Sequence, residues 1–262
     1  MRDLVMAEVE RQVAALLPLS VQMPTVPCDV FLSRVKLYET SMEMLLALIA
    51  NGCYWGTSEQ AGLWLEAISR MVDISPPASG NTVLVNLRRY PACMLLYVGS
   101  IAALAARKYG TVRVLLKDSR TSVDTGIDGK DDLLIRKLVV ARALDWKALN
   151  QCSGGEQVKT PSSDRLHANL RNTLRAFVPN DLDYDKVFDR FEYLFSLVYL
   201  DAQERDGARR WAPWAATCGG IGSSDLLAAI SAKHYWKKAK AKKASGYRSS
   251  PDCSRLLKDF GR

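Results

Sequence analysis

Paired carboxylates are the side chains in this sequence whose spacing comes closest to a catalytic arrangement. Glu39 and Glu43 are four residues apart, so on a helix both side chains point to one side. Two such carboxylates can perform acid–base chemistry only where their surroundings push their pKa values apart. Nothing in the neighbouring sequence indicates such a difference. We therefore favour surface ion pairing, with Lys36 or with a neighbouring chain, over catalysis.

The chain has two histidines, and neither stands in a spacing typical of metal ligands. His167 lies one position from the apolar stripe formed by Leu166 and Leu170, which predicts a histidine at the boundary of the core. His234 lies among lysines, where it is solvated or faces phosphate. The sequence predicts no catalytic residue, no metal site and no cofactor.

A glycine-rich stretch at 218–225 (CGGIGSSD) precedes a predicted helix. Backbone N–H groups at such a helix start can hold a phosphate. The stretch has no Walker lysine and no strand before it, so we interpret it as a flexible connector.

The most distinctive chemical feature is the distribution of charge. The net charge is +8, and residues 233–262 hold ten basic and two acidic residues, so residues 1–232 are net neutral. Lysines neutralise phosphates, and interleaved aromatic rings can stack on bases. The segment predicts non-specific contact with DNA or RNA. The candidate nucleic-acid-binding residues are Lys233, His234, Tyr235, Trp236, Lys237, Lys238, Lys240, Lys242, Lys243 and Arg248.

The cysteines and the longest uncharged segment indicate in which cellular compartment the protein is expected. No two of the six cysteines are closer than 25 residues, so no C-x-x-C pair exists, and Cys53 and Cys93 lie in apolar helical segments. The even count is weak evidence for disulfides in a chain of this length. Residues 90–106 carry no charge, but 17 residues are short for a bilayer span of about 20. We expect a cytoplasmic protein in a reducing setting, with no membrane partner.

The apolar spacing along the chain is mostly helical, so helices are expected to position the residues discussed above. Apolar residues recur at three- and four-residue spacing over 1–17, 29–51, 131–150, 161–177 and 180–206. Thr57 and Gln60 form a capping box, and residues 111–117 favour a short helix over a strand. We predict an all-α fold: an irregular bundle of about nine helices around the buried apolar helix 91–107. The predicted domains are a helical bundle at 1–215 and a basic C-terminal helical extension at 216–262.

Three segments carry a resemblance to a broader class of proteins. They are RYPA at 89–92 running into LLYVGSIAALAA at 95–106, FDRFEYL at 188–194 followed by LVY at 197–199 and Asp201, and WAPW at 211–214. Together they resemble the all-helical C-terminal regions of multidomain bacterial proteins of the phage-defence type. Those proteins tend to carry an N-terminal nucleotide-binding or DNA-binding module. We read no such module here, so the resemblance implies a separate subunit or a detached domain.

These observations predict a non-enzymatic helical interaction or sensor subunit of a bacterial multiprotein system, with phage defence as the setting that the resemblance implies. Its partner would be a protein in a larger complex. The alternative is a non-specific nucleic-acid-binding protein that uses the basic C-terminal helix. A hydrolase or nuclease with an unrecognised carboxylate site is a third hypothesis, and the absence of any histidine, cysteine or glycine motif counts against it.

Overall fold

The structure is a computed structural model that describes residues 1–16, 22–73, 80–117, 134–154 and 158–205. These residues form α-helices, with one 3-10 turn at Ser58–Gln60 and no strand among them, which confirms the predicted all-α class. The helices are α1 (Arg2–Leu16), α2 (Cys28–Ser41), α3 (Glu43–Trp55), α4 (Ala61–Val72), α5 (Thr82–Leu87), α6 (Tyr90–Ala105), α7 (Tyr109–Lys117), α8 (Leu134–Lys137), α9 (Val140–Ala143), α10 (Trp146–Cys152), α11 (Pro161–Leu174) and α12 (Asp181–Arg205).

Helix α6 is the centre of the core, as its uncharged sequence predicts. Every residue from Tyr90 to Leu104 is buried, and Pro91 lies in its first turn, where a missing N–H costs nothing. Helix α3 approaches it closely at Gly99, where an added Cβ would lie 3.1 Å from Cδ1 of Ile49 and 3.2 Å from Sγ of Cys53. No helix in the described ranges combines the length and apolar character needed to cross a bilayer.

Helices α2, α3, α6 and α11 run in the same direction. Helices α2 and α3 form one bent rod, because the backbone hydrogen bonds continue through Met42 between them. Glu39 of this rod meets Tyr90 at the start of α6, and Gly56 after the rod meets Lys108 beyond the end of α6. The carboxyl ends of α3, α6 and α11 therefore lie at one end of the bundle, and the carboxyl end of α2 lies beside the start of α6.

Helix α12 supplies the aromatic face that the sequence predicts. Phe188, Phe191 and Phe195 are each at most 2% exposed and surround the ring of Tyr97 of α6, with centroid distances between 4.6 and 6.2 Å. Asn180 caps the helix, because its Oδ1 accepts hydrogen bonds from the N–H groups of the next turn.

The single helix predicted over 131–150 is wrong. Its described part consists of three short helices, α8, α9 and α10, joined by irregular residues. Seven apolar residues bury their side chains although they do not share one helical face, so the backbone must turn between them: Leu134, Ile135, Leu138, Val139, Val140, Ala143 and Leu144. Asp145 then starts α10, because its carboxylate accepts the N–H of Ala148 at 2.9 Å.

A disulfide that the sequence analysis did not predict joins Cys28, at the start of α2, to Cys152, at the end of α10. The two Cα atoms are 5.2 Å apart, although 124 positions separate the residues in the chain. Cys53 and Cys93 are free and buried in the core, as predicted. Structural disulfides are rare in reducing compartments, so this pair argues against the reducing setting expected from the sequence. The cytoplasmic location stays a prediction.

The described residues up to 205 belong to one compact unit. The predicted boundary between residues 215 and 216, and the basic extension beyond it, lie outside the described residues.

Candidate functional site

Glu39 is held by two other helices rather than presented for catalysis. Its carboxylate receives two hydrogen bonds from Arg165 of α11, Nε to Oε1 and Nη2 to Oε2, both 2.8 Å long. The hydroxyl of Tyr90 donates a third to Oε1 at 3.0 Å. This fork geometry is the strongest form of a carboxylate–guanidinium pair. The carboxylate of Glu39 is therefore a structural brace between α2, α6 and α11.

The electrostatics of this brace agree with a structural role. Burial raises the pKa of Tyr90 well above its ordinary value, and Glu39 adds to the rise. Burial acts to lower the pKa of Arg165, but the hydrogen bonds and attraction of Glu39 outweigh it, so the net direction is upward. The partner of Glu39 is thus Arg165 and not Lys36. Glu43 lies beyond the bend at Met42 and is exposed.

His167 belongs to a ladder of polar pairs between α11 and the antiparallel α12. Its Nε2 lies 2.9 Å from Oδ1 of Asp185, and its ring packs at 4.7 Å from Tyr184 and 4.8 Å from Phe188. The side chain is 35% exposed, which confirms a histidine at the edge of the core. The rungs of the ladder are Ser163–Glu192, His167–Asp185 and Arg171–Asp181.

These polar residues do not assemble a reactive centre. The hydroxyl of Ser163, four residues before His167, donates to Glu192 and is therefore not aimed at the imidazole. Within the described ranges no three His, Cys, Asp or Glu side chains come together as a metal site. Burial raises the pKa of Cys53 to about 12 and that of Cys93 higher still, so neither free thiol is activated.

The shallow groove between residues 22–24 and 80–82 offers little for small-molecule chemistry. Its lining residues carry no ionisable side chain, and the groove is open to solvent. Ligand sites are typically concave and largely enclosed, with a few convergent polar groups.

The predicted nucleic-acid-binding residues, from Lys233 to Arg248, lie outside the described residues. So do His234 and the glycine-rich stretch at 218–225. Contact with DNA or RNA through this segment stays a prediction.

The most exposed large apolar side chain among the described residues is Trp55, at the last position of α3. It is 73% exposed. Its ring contacts Tyr54 at 4.6 Å, and Tyr54 in turn contacts Phe177, just after α11, at 4.9 Å. Tyr54 and Phe177 are half-buried, and of the two it is Tyr54 that contacts the indole. An indole this exposed contributes little to folding, and tryptophan is enriched at protein interfaces.

Two exposed arginines lie within two positions of residues that contact this end of α3. Arg107 follows α6 and precedes Lys108, whose Nζ donates to the carbonyl of Gly56 beside Trp55. Arg175 follows α11, two positions before Phe177. Both are exposed. Neither guanidinium forms an ion pair within the part of the chain that the structure describes. We call the set of Tyr54, Trp55, Arg107, Arg175 and Phe177 the Trp55 surface.

Arg107 has a backbone conformation that glycine usually supplies. Its φ is +60°. The residue closes a Schellman motif: the N–H of Arg107 donates to the carbonyl of Leu104, and the N–H of Lys108 donates to the carbonyl of Ala103. A non-glycine residue in this region costs about 1 kcal/mol or more. The chain thus holds an exposed cation at this end of the bundle at some cost in stability.

The Trp55 surface was not predicted, because the helix predicted from the apolar spacing ends at Asn51. In fact α3 continues to Trp55 and ends before Gly56. The adjacent aromatic pair ahead of that glycine was the available signal. No sequence signal linked Trp55 to Phe177 or to the two arginines, because Arg107, Arg175 and Phe177 lie 52, 120 and 122 positions further along the chain.

No protein-family model, curated protein or solved structure matches this chain.

Proposed function

We propose that this chain is a non-enzymatic helical interaction or sensor subunit of a bacterial multiprotein system, of the phage-defence type that the sequence resemblance implies. The Trp55 surface is where its protein partner binds. The observation that carries this proposal is the 73% exposure of Trp55, whose ring contacts Tyr54, which in turn contacts Phe177. Tryptophan, tyrosine and arginine are the residues that most often dominate binding energy at protein interfaces, and this surface contains all three.

The use of the polar residues supports the same proposal. Glu39, His167 and Ser163 each form a hydrogen bond to a residue of another helix, and these bonds stabilise the bundle. The rigid packing around α6 then presents Trp55 at the end of the bundle. Such a preorganised anchor loses little conformational entropy on binding.

The test is capture of partners from the native host with three forms of the tagged full chain: unchanged, Trp55→Ala and Met44→Ala. Met44 is 60% exposed on the same helix and is the matched control. Lysates are treated with nuclease so that nucleic acid cannot bridge proteins. We expect at least one protein retained by the unchanged chain and by Met44→Ala but lost with Trp55→Ala. Identical protein sets from all three forms would refute the assignment of this surface.

The defence setting has its own test. Efficiency of plating of a phage panel is compared between hosts with and without the gene, and after complementation with Trp55→Ala. We expect protection that the gene restores and that the variant does not. Equal plating in all strains would remove the defence setting and leave the interaction role to the capture experiment.

A further inference from the structure

The disulfide between Cys28 and Cys152 is open to solvent rather than sealed in the core. Both cysteines are half-exposed, so a small thiol can approach the bridge. Disulfides that solvent reaches are reduced more easily than buried structural ones. Cys53 and Cys93, by contrast, are buried free thiols, and burial raises the pKa of each. Among the cysteines that the structure describes, redox chemistry is therefore expected at the bridge.

The two cysteines of the bridge lie at opposite ends of their helices. Cys28 is the first residue of α2, a helix of 14 residues, and Pro27 before it provides no side-chain cap. Cys152 is the last residue of α10. A helix stabilises a negative charge at its amino end and opposes one at its carboxyl end. Asp29 also lies in the first turn of α2, but it is exposed and its charge is screened by solvent. Of the two sulfurs, Sγ of Cys28 is thus better placed to exist as a thiolate.

This polarity predicts the order in which a thiol breaks the bridge. In thiol–disulfide exchange a thiolate attacks one sulfur and the other sulfur leaves, and the more stable thiolate leaves faster. An incoming thiolate is therefore expected to attack Sγ of Cys152, so that the S–S bond breaks and Cys28 leaves as the thiolate. A second thiol then attacks the mixed disulfide and releases Cys152. In sum, one bridge and two thiols give two cysteine thiols and one disulfide of the attacking thiol.

Helix α10 depends on the bridge more than its neighbour α11 does. It has seven residues, of which Leu149 is the buried one, whereas α11 buries five. Asn150 forms two hydrogen bonds with the backbone of Val158, but Val158 lies only eight positions further along the chain. Isolated helices of this length are unstable in water. The covalent link to α2 is therefore a main reason why α10 keeps its place.

We propose that Cys28–Cys152 is a thiol–disulfide exchange site, which holds α10 on α2 when oxidised and releases α10 when a low-molecular-weight thiol reduces it. The thiol enters on Cys152, and Cys28 is the leaving thiolate. The core around α6 stays folded in both forms, because the helices that pack on α6 include α3, α4, α7 and α12, none of which carries a cysteine of the bridge. This inference is independent of the Trp55 surface.

The order of exchange is tested with glutathione on the oxidised full chain. The reaction is stopped early with acid, the chain is digested at low pH, and mass spectrometry measures glutathione on each cysteine separately. We expect glutathione on Cys152 to exceed that on Cys28 by about threefold or more in the folded chain. The same chain in denaturant is the control: it has no helix ends, so the excess should disappear.

Release of α10 is tested by hydrogen exchange of the oxidised and the reduced full chain at room temperature without denaturant. Reduction should remove most of the protection of residues 146–152 and leave that of residues 90–105 unchanged. The double variant Cys28→Ser with Cys152→Ser is the matched control. It should show the exchange pattern of the reduced chain whether or not a thiol is present.

Alkylation during reduction reports whether the core stays closed: Cys28 and Cys152 should be modified, and Cys53 and Cys93 should not. Four results would overturn the proposal. They are failure of oxidised glutathione to form the bridge, glutathione found equally on both cysteines or mainly on Cys28, reduction only together with alkylation of Cys53 and Cys93, and unchanged protection of α10 or equal loss in α6 after reduction. None of these results affects the capture experiment with Trp55→Ala, so the two proposals fail separately.

Discussion

Breaking the disulfide between Cys28 and Cys152 should remove a large part of the stability of this protein. The bond closes a loop of 124 positions. In the chain-entropy model, cross-linking a loop of that length stabilises the folded state by about 5 kcal/mol, because the unfolded chain loses conformations. Natural domains are stable by only about 5–15 kcal/mol. Reduction is therefore expected to bring the bundle close to the limit of folding at 37 °C.

The assay is urea unfolding followed by circular dichroism, with and without dithiothreitol. For a slope of about 3 kcal/mol per molar urea, the loss of about 5 kcal/mol corresponds to a midpoint lower by about 1.7 M. Mass spectrometry of the digested, unreduced protein should yield a peptide pair linked through Cys28 and Cys152. The double variant Cys28→Ser with Cys152→Ser is the control: it should match the reduced protein and not respond to dithiothreitol.

A midpoint that reduction leaves unchanged, in protein shown to contain the linked peptides, would refute the entropy argument. It would mean that the unfolded chain is already compact between the two cysteines. Protein isolated from its native host with both thiols free would instead support the reducing setting expected from the sequence, and the bundle would have to be stable without the bond.

Three further changes test the packing of the core and the end of the bundle. Phe191→Ala removes a side chain with no exposed surface and should cost about 3–5 kcal/mol of unfolding free energy, measured by urea titration; an unchanged midpoint would contradict its burial. Gly52→Ala would place a Cβ 1.8 Å from Cζ2 of the buried Trp64 and should cost about 1–3 kcal/mol, whereas Gly62→Ala, with open space around its Cβ, should be neutral or stabilising in the same titration. Arg107→Gly should raise stability by about 1 kcal/mol because it relieves the positive φ, and a loss of stability would show that the guanidinium holds the fold.

The burial of the central helix α6 could be predicted because its sequence is apolar on every side. Residues 90–106 lack any charge, and α6 is buried almost throughout. The stripe of phenylalanines on α12 is equally direct, since its spacing matches one helical face. In both cases local pattern and tertiary burial agree, which is when sequence reasoning succeeds.

Other features depend on contacts that no local pattern contains. Glu39 meets Arg165 across 126 positions, and Cys28 meets Cys152 across 124. The described part of 131–150 forms three short helices because its buried apolar residues point in several directions, which one continuous helix cannot satisfy. The surroundings of Trp55 likewise have no local pattern, because Lys108 and Phe177 come from the chain just after α6 and α11.

The parallel course of α3, α6 and α11 has a consequence for how fast this protein folds. Neighbouring helices that run the same way need a connection that returns along the bundle, so their contacts join residues far apart in the chain. The contacts from Glu39 to Tyr90 and from Lys108 to Gly56 span 51 and 52 positions, and the contact from Glu39 to Arg165 spans 126. Folding rates fall as such separations grow. This bundle should therefore fold more slowly than up-and-down helical bundles, and its core cannot close on the ribosome until α12, which packs on Tyr97 of α6, has emerged.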